Sequence, residues 1–185
     1  MSHRIGNSLA GIRAYINLYF SDDMIDKSDG LEKVDDIIQT MTFLNYEFFK
    51  NFEQQVINMK SYLNFITIDL AEKYFVPRCN IQLRLFDKEQ HIDKALPFGM
   101  LYTIMLTNIY MEIRERVEKP TIKITMVDKL NKTDVAISIS KKNIFHSVVR
   151  ERQIIETEII EALLTQIEGT MIIDQTSVNS ITFVL

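Results

Sequence analysis

The sequence predicts an α+β chain. An N-terminal helical hairpin pairs with a second copy as a dimeric four-helix bundle, and an α/β layer of mixed, largely antiparallel strands follows it. Three observations predict this. Up to about Tyr74 apolar residues recur at helical spacing, and from Asn80 the period switches to two in several short stretches. The hairpin also carries more apolar surface than two helices joined by a short turn can bury between themselves.

Residues 3–20 read as an amphipathic helix, with Ile5, Leu9, Ile12, Ile16 and Tyr19 at spacings of 4, 3, 4 and 3. A polar break, SDDMIDKSDG, ends in Asp29 and Glu32 as a capping box for the next helix. That helix runs from about Leu31 to Phe52 with Leu31, Val34, Ile38, Met41, Leu44 and Phe48 inward, and Ile37, Phe43, Phe49 and Phe52 broaden its apolar face. A second copy of the hairpin can bury this surface as a homodimer; the alternative is that the hairpin packs on the rest of its own chain. A third helix spans about Gln54 to Tyr74 and stops before Pro77. Asn80–Phe86 alternates as a strand does, and Leu96–Val117 reads as a helix with Pro97 in its first turn. Strands follow at 121–127, 134–140, 170–174 and 180–185, and a helix from about Val148 to Ile167 is capped by Gly169. The domain division is 1–53 for the hairpin and 54–185 for the α/β layer.

Composition excludes several function classes. A net charge of −4 lacks the basic face of a general nucleic-acid binder. The single cysteine, Cys79, can form no internal disulfide, and no cysteine–histidine spacing resembles a zinc site. No apolar run reaches the ~18–20 residues that span a bilayer, and the first twenty residues are not a signal peptide. The expectation is a reduced, cytoplasmic protein with no membrane or metal site of its own.

Of three histidines, His3 opens the first helix. It lies ~200° around the helix from the Ile5 seam and so faces outward, with Asn7 one turn further on the same face. An accessible neutral imidazole is a competent nucleophile toward phosphorus. Arg4 and Arg13 make the early helix cationic, with no acidic residue before Asp22, which suits an acidic partner or a phosphoryl group.

HRIGNSLAGIRAYINL resembles the phosphoacceptor helix of the sensor histidine kinase subfamily that begins H-R-x-x-N-x-L, here His3, Arg4, Asn7 and Leu9. LPFGMLYTIMLTNIYMEI resembles the N-box helix of the GHKL-type ATP-binding domain, with Pro97 and Asn108 in place, and LLTQIEGTMIIDQTSVNSITFVL resembles that domain's closing helix and strand pair. The resemblance therefore implies a GHKL-like α/β sandwich after the hairpin. The chain departs from the family where nucleotide binds. The acidic residue four positions before the asparagine is Ile104, and the basic residue a turn after it is replaced by Met111 or Glu112. SKKNIFHS stands where a D-x-G-x-G loop belongs, and SVVRERQIIETE replaces the glycine-rich lid. Without those glycines the backbone cannot approach a triphosphate, and Asn108 is left as a vestigial N box.

A phosphoacceptor helix joined to a decayed ATP-binding domain is similar to the bacterial phosphorelay histidine phosphotransferases. By that resemblance His3 carries the phosphoryl group, Arg4 and Asn7 orient it, and Gly6, Ala10 and Arg13 dock the receiver domain of a response regulator. Mg²⁺ arrives bound to the receiver, and this chain binds no cofactor. The alternatives are a non-catalytic dimeric adaptor of two-component signalling and a divergent histidine kinase. His91 in DKEQHIDK reads as solvated, His146 is at most a residual ligand, and Asp22, Asp23, Asp26 and Asp29 read as a helix-capping turn.

Overall fold

The computed structural model describes residues 13, 16, 17, 27–50, 55–114, 116–129, 132–140, 153–174 and 179–185. Within them run helix α1 (Lys27–Lys50), strand β1 (Val56–Asn58), helix α2 (Met59–Lys73), a 3₁₀ turn (Arg78–Asn80), strands β2 (Ile81–Arg84) and β3 (Glu89–His91), and helix α3 (Ile92–Arg114). Strands β4 (Ile122–Lys129) and β5 (Lys132–Ile139), helix α4 (Gln153–Ile167), and strands β6 (Thr170–Asp174) and β7 (Asn179–Val184) complete the order. Five strands form one sheet in the order β2-β4-β5-β7-β6, while β1 and β3 pair separately. β2 lies parallel to β4, and every other pairing is antiparallel.

Register follows from the period-two apolar pattern. Leu83, Ile124, Ile137, Ile181 and Ile173 stand side by side across all five strands, and Met126, Val135, Phe183 and Met171 make a second row across four. A one-residue slip would turn both rows to the other face, which carries Lys123, Thr125, Ser138 and Thr182. The apolar rows face the helical layer, where Phe98 of α3 meets Phe183 edge-on at 5.7 Å. Helix α3 is the buried axis of that layer: α1, α2 and α4 all pack on it, and nearly every residue from Pro97 to Met111 is buried.

Several sequence expectations shift. Gln54–Tyr74 does not run as one helix, because Val56–Asn58 pairs with Glu89–His91 and Asn58 then caps α2, its side-chain oxygen accepting the Ser61 amide at 3.0 Å. Helix α3 starts at Ile92, which places Pro97 inside it rather than in the first turn. At the end of α4 the left-handed residue is Glu168, at φ 55°, and Gly169 serves another purpose. A Cβ on Gly169 would stand 2.8 Å from the Val184 carbonyl oxygen, so the glycine permits close backbone approach.

The dimeric four-helix bundle is corrected. Among the described residues no helical hairpin bundle forms, and α1 packs against α2 and α3 of its own chain, burying Val34, Ile37, Met41 and Leu44. Leu31 and Ile38, expected to face inward, are 58% and 45% exposed. The inward face instead carries Lys33, Asp36 and Thr40, all buried. Thr40 finds its partner on α3 and Asp36 finds partners on both α2 and α3, which is the physical reason for the correction. Among the described residues the fold is α+β, with helices α1 to α4 on a mixed five-stranded sheet. The expected boundary between residues 53 and 54 falls outside the described residues. Among the described residues no helix is long and apolar enough to cross a membrane.

The core contains one inexpensive test of its own polarity. Tyr62 is fully buried with no partner for its hydroxyl among the described residues, whereas the Tyr102 hydroxyl is hydrogen-bonded to the Thr67 hydroxyl at 2.7 Å. In thermal unfolding Tyr62→Phe is expected to leave the midpoint unchanged or raise it, and Tyr102→Phe to cost about 1 kcal/mol. Equal losses in both variants would contradict this assignment.

Candidate functional site

The sequence-predicted site divides between described and undescribed residues. His3, Arg4, Gly6, Asn7 and Ala10 lie outside the described residues, as do His146, Asp22, Asp23 and Asp26. Arg13, Ile16 and Asn17 are helical. Arg13 and Asn17 are exposed, whereas Ile16 is half-buried against the core, a polar-out, apolar-in arrangement. His91 ends β3, half-exposed, with its Nδ1 3.2 Å from an Asp93 carboxylate oxygen. Cys79 is exposed beside Asn80. Among the described residues no group of three or more histidine, cysteine or acidic side chains could hold a metal ion.

Asn108 occupies the middle of α3 and is buried. One turn earlier Ile104 is 1% exposed inside the apolar cluster, so this position supplies no carboxylate. One turn later Met111 is also buried, and Glu112 accepts a hydrogen bond from Arg116, two residues past the end of α3. The structure thus places Asn108 in the interior of α3, with apolar Ile104 and Met111 about one turn to either side.

Sequence reasoning missed the polar cluster that joins α1 to the rest. Asp36 is 1% exposed, and three donors converge on its carboxylate: Lys73 Nζ at 2.7 Å, Tyr74 Oη at 2.8 Å and Thr107 Oγ1 at 2.7 Å. Lys73 also reaches Asp35 at 2.9 Å. Along the antiparallel seam of α1 and α3, Thr40 shares a hydrogen with Thr103 at 2.9 Å, and Arg114 pairs with Glu32 at 3.1 Å. Glu32, expected to cap α1, is spent on that pair instead. Arg114 also lies 5.7 Å from the centre of the Tyr74 ring. The signal was present as polar residues at 33, 36 and 40 along an otherwise apolar helix face, matched by Thr103 and Thr107 in TIMLTN.

Electrostatics follow from this packing. Burial pushes the Lys73 ammonium down, but hydrogen bonds from its ammonium to the Asp36 and Asp35 carboxylates outweigh that, and its pKa is raised. Tyr74 is raised far above the usual phenolic range, first by burial and then by the Asp36 charge. Burial alone raises Tyr62. At Tyr102 burial outweighs the opposing Thr67 hydrogen bond, and at Tyr110 burial is reinforced by Tyr102. Half-exposed Asp69 is raised by burial and then by the neighbouring Asp36 and Glu72 charges.

This arrangement of helices on a mixed sheet is found in known proteins. The histidine kinase domain of the Erythrobacter litoralis EL346 blue-light activated histidine kinase superposes with a TM-score of 0.67 over 97% of this chain and 94% of that one, at 10% sequence identity. The fold is that of a histidine kinase domain. The longer EL346 blue-light activated histidine kinase gives a TM-score of 0.64 at 15% identity, over 99% of this chain and 59% of that one, so this chain spans just over half of that protein. The Acinetobacter baumannii histidine kinase AdeS gives 0.52 at 12% identity, over 99% and 96% of the two chains. No protein-family model matches the sequence, and no curated protein matches it.

Two outcomes are expected from the polar cluster. Asp36→Ala leaves the buried Tyr74 and Thr107 hydroxyls without their acceptor while Lys73 keeps Asp35, and should cost about 1–3 kcal/mol for each stranded hydroxyl, against about 1 kcal/mol for Thr107→Val; equal costs in chemical denaturation would contradict the central role of Asp36. Unfolded phenols ionise near pH 10, about, whereas the buried ones stay protonated above it. Their stabilisation is therefore complete below that pH and is lost as pH rises through the alkaline range, by about 1.4 kcal/mol per pH unit for each group. Raised Lys73 adds to the same alkaline loss. Tyr74→Phe should flatten the alkaline limb of a stability–pH profile, and an unchanged slope would remove Tyr74 from the account.

Proposed function

We propose that this chain works in two-component signalling as a histidine phosphotransferase that does not use ATP. His3 accepts a phosphoryl group from the phosphoaspartate of a receiver domain and returns it to another. The neutral imidazole nitrogen attacks phosphorus, a P–N bond forms, the acyl-phosphate P–O bond breaks, and the aspartate carboxylate leaves. Arg4 and Asn7 orient the phosphoryl oxygens and the ring. Gly6, Ala10 and Arg13 dock the receiver, whose own Mg²⁺ neutralises the charge in flight.

One observation carries the reading: Ile104, where the sequence resemblance puts the N-box acid, is sealed in the apolar core. A water or metal cannot be held there without burying it unpartnered. The H-R-x-x-N run at 3–7 supports the phosphoacceptor half, and the missing glycine loops support the absence of kinase chemistry. The residues present do not fit Mg²⁺–ATP.

The test is phosphoryl transfer from a panel of phosphorylated receiver domains, with His3→Ala alongside. Acid-labile label on the wild type alone is expected. Label on neither, with folded protein and charged donors, would favour the adaptor; label on both would mean another acceptor. Label taken directly from ATP, with nucleotide-dependent thermal stabilisation, would favour a divergent kinase.

A further inference from the structure

The two edges of the five-stranded sheet are built differently. At β2 the edge strand has only four residues, turns Gln82 and Arg84 to the exposed face, and is flanked by Pro77 and Lys88. These are devices that discourage a second strand from pairing. The opposite edge, β6, reads TMIID, with no lysine, arginine or proline. One side of β6 pairs with β7, and among the described residues no strand pairs with the other. Met171 and Ile173 face the core yet stay half-buried at its rim, while Ile172 on the other face is 57% exposed.

We infer that β6 is a self-association edge, at which the β6 strand of a second copy pairs antiparallel about a twofold axis through Ile172. The sequence of the strand is self-complementary in that register. Met171 faces Ile173 of the second copy, so each completes the other's half-buried rim, and Ile172 faces its own counterpart. Asp174, the one charge on the strand, falls opposite Thr170 of the second copy. A parallel, in-register pairing would set Asp174 beside Asp174 of the second copy, a like-charge contact that costs stability. A one-residue shift would carry the apolar rim to the opposite face. The twofold arrangement uses one surface twice and closes, so it yields a dimer rather than a fibre. Five residues of strand on each side bury less than the ~800 Å² per partner of a standard stable interface, so the dimer is concentration-dependent.

Two measurements on the full chain test this. In sedimentation velocity the wild type is expected to shift from monomer to dimer with concentration, and Ile172→Lys, which sets two ammonium groups face to face, to weaken association at least tenfold. Ile172 is exposed, so circular dichroism melting of the variant should match the wild type. In a Cys79→Ser background, Ile172→Cys should form an intermolecular disulfide on mild oxidation, because residues directly opposite in antiparallel strands have Cα atoms about 4.5–5.5 Å apart, within disulfide reach. A Gln166→Cys control, exposed on α4, should not. A wild type that stays monomeric at all concentrations would overturn the inference. So would a dimer untouched by Ile172→Lys, or one that forms no crosslink at 172.

Discussion

Three donors converge on the buried carboxylate of Asp36, and the placement of α1, α2 and α3 follows from satisfying them. An ionised carboxylate in an apolar seam is tolerated only with such partners. They come from the end of α2, from the residue that caps it, and from the middle of α3. A slide of α1 by one residue would move the carboxylate about 1.5 Å along the seam and rotate it about 100° away from all three. The neighbouring Thr40–Thr103 and Glu32–Arg114 contacts hold the same antiparallel register. The apolar residues Val34, Ile37, Met41 and Leu44 supply the burial, and the polar ladder selects which alignment they adopt.

Helix α3 is the second constraint, because it is shared. The α1 seam uses Thr103 and Thr107 on one side, while Phe98 meets Phe183 of the sheet on another. Asn108 follows Thr107 directly, so the residue that resembles a nucleotide ligand is held on a helix whose neighbouring positions are committed to packing. Ile104 belongs to that packing. A carboxylate there would have to be desolvated in an apolar cluster, so the filling of this core leaves no place for one at that position.

Much of this was legible from residue pattern. The alternation at 122–126, 135–139 and 170–174 places those strands in register, since a period of two admits one buried face. The place of α3 was legible from its apolar length, and with it the interior position of Asn108. Helix boundaries were less so. The short strand Val56–Asn58 and the start of α3 at Ile92 exist because β1 and β3 pair with each other across a long sequence gap, and no local propensity records that.

The sequence by itself determined the order of the helices and of the five strands in the main sheet, the inward face of those strands and the long apolar helix that carries Asn108, because each depends on neighbours a few residues apart. Tertiary structure alone decided where the second helix of the hairpin packs. Its apolar residues are equally suited to a copy of itself or to its own chain, because hydrophobic burial has no direction. Asp36 and Thr40 break that tie, since hydrogen bonds require partners at fixed distance and angle. Those partners, Lys73, Tyr74, Thr103 and Thr107, lie between 37 and 71 residues away in the same chain.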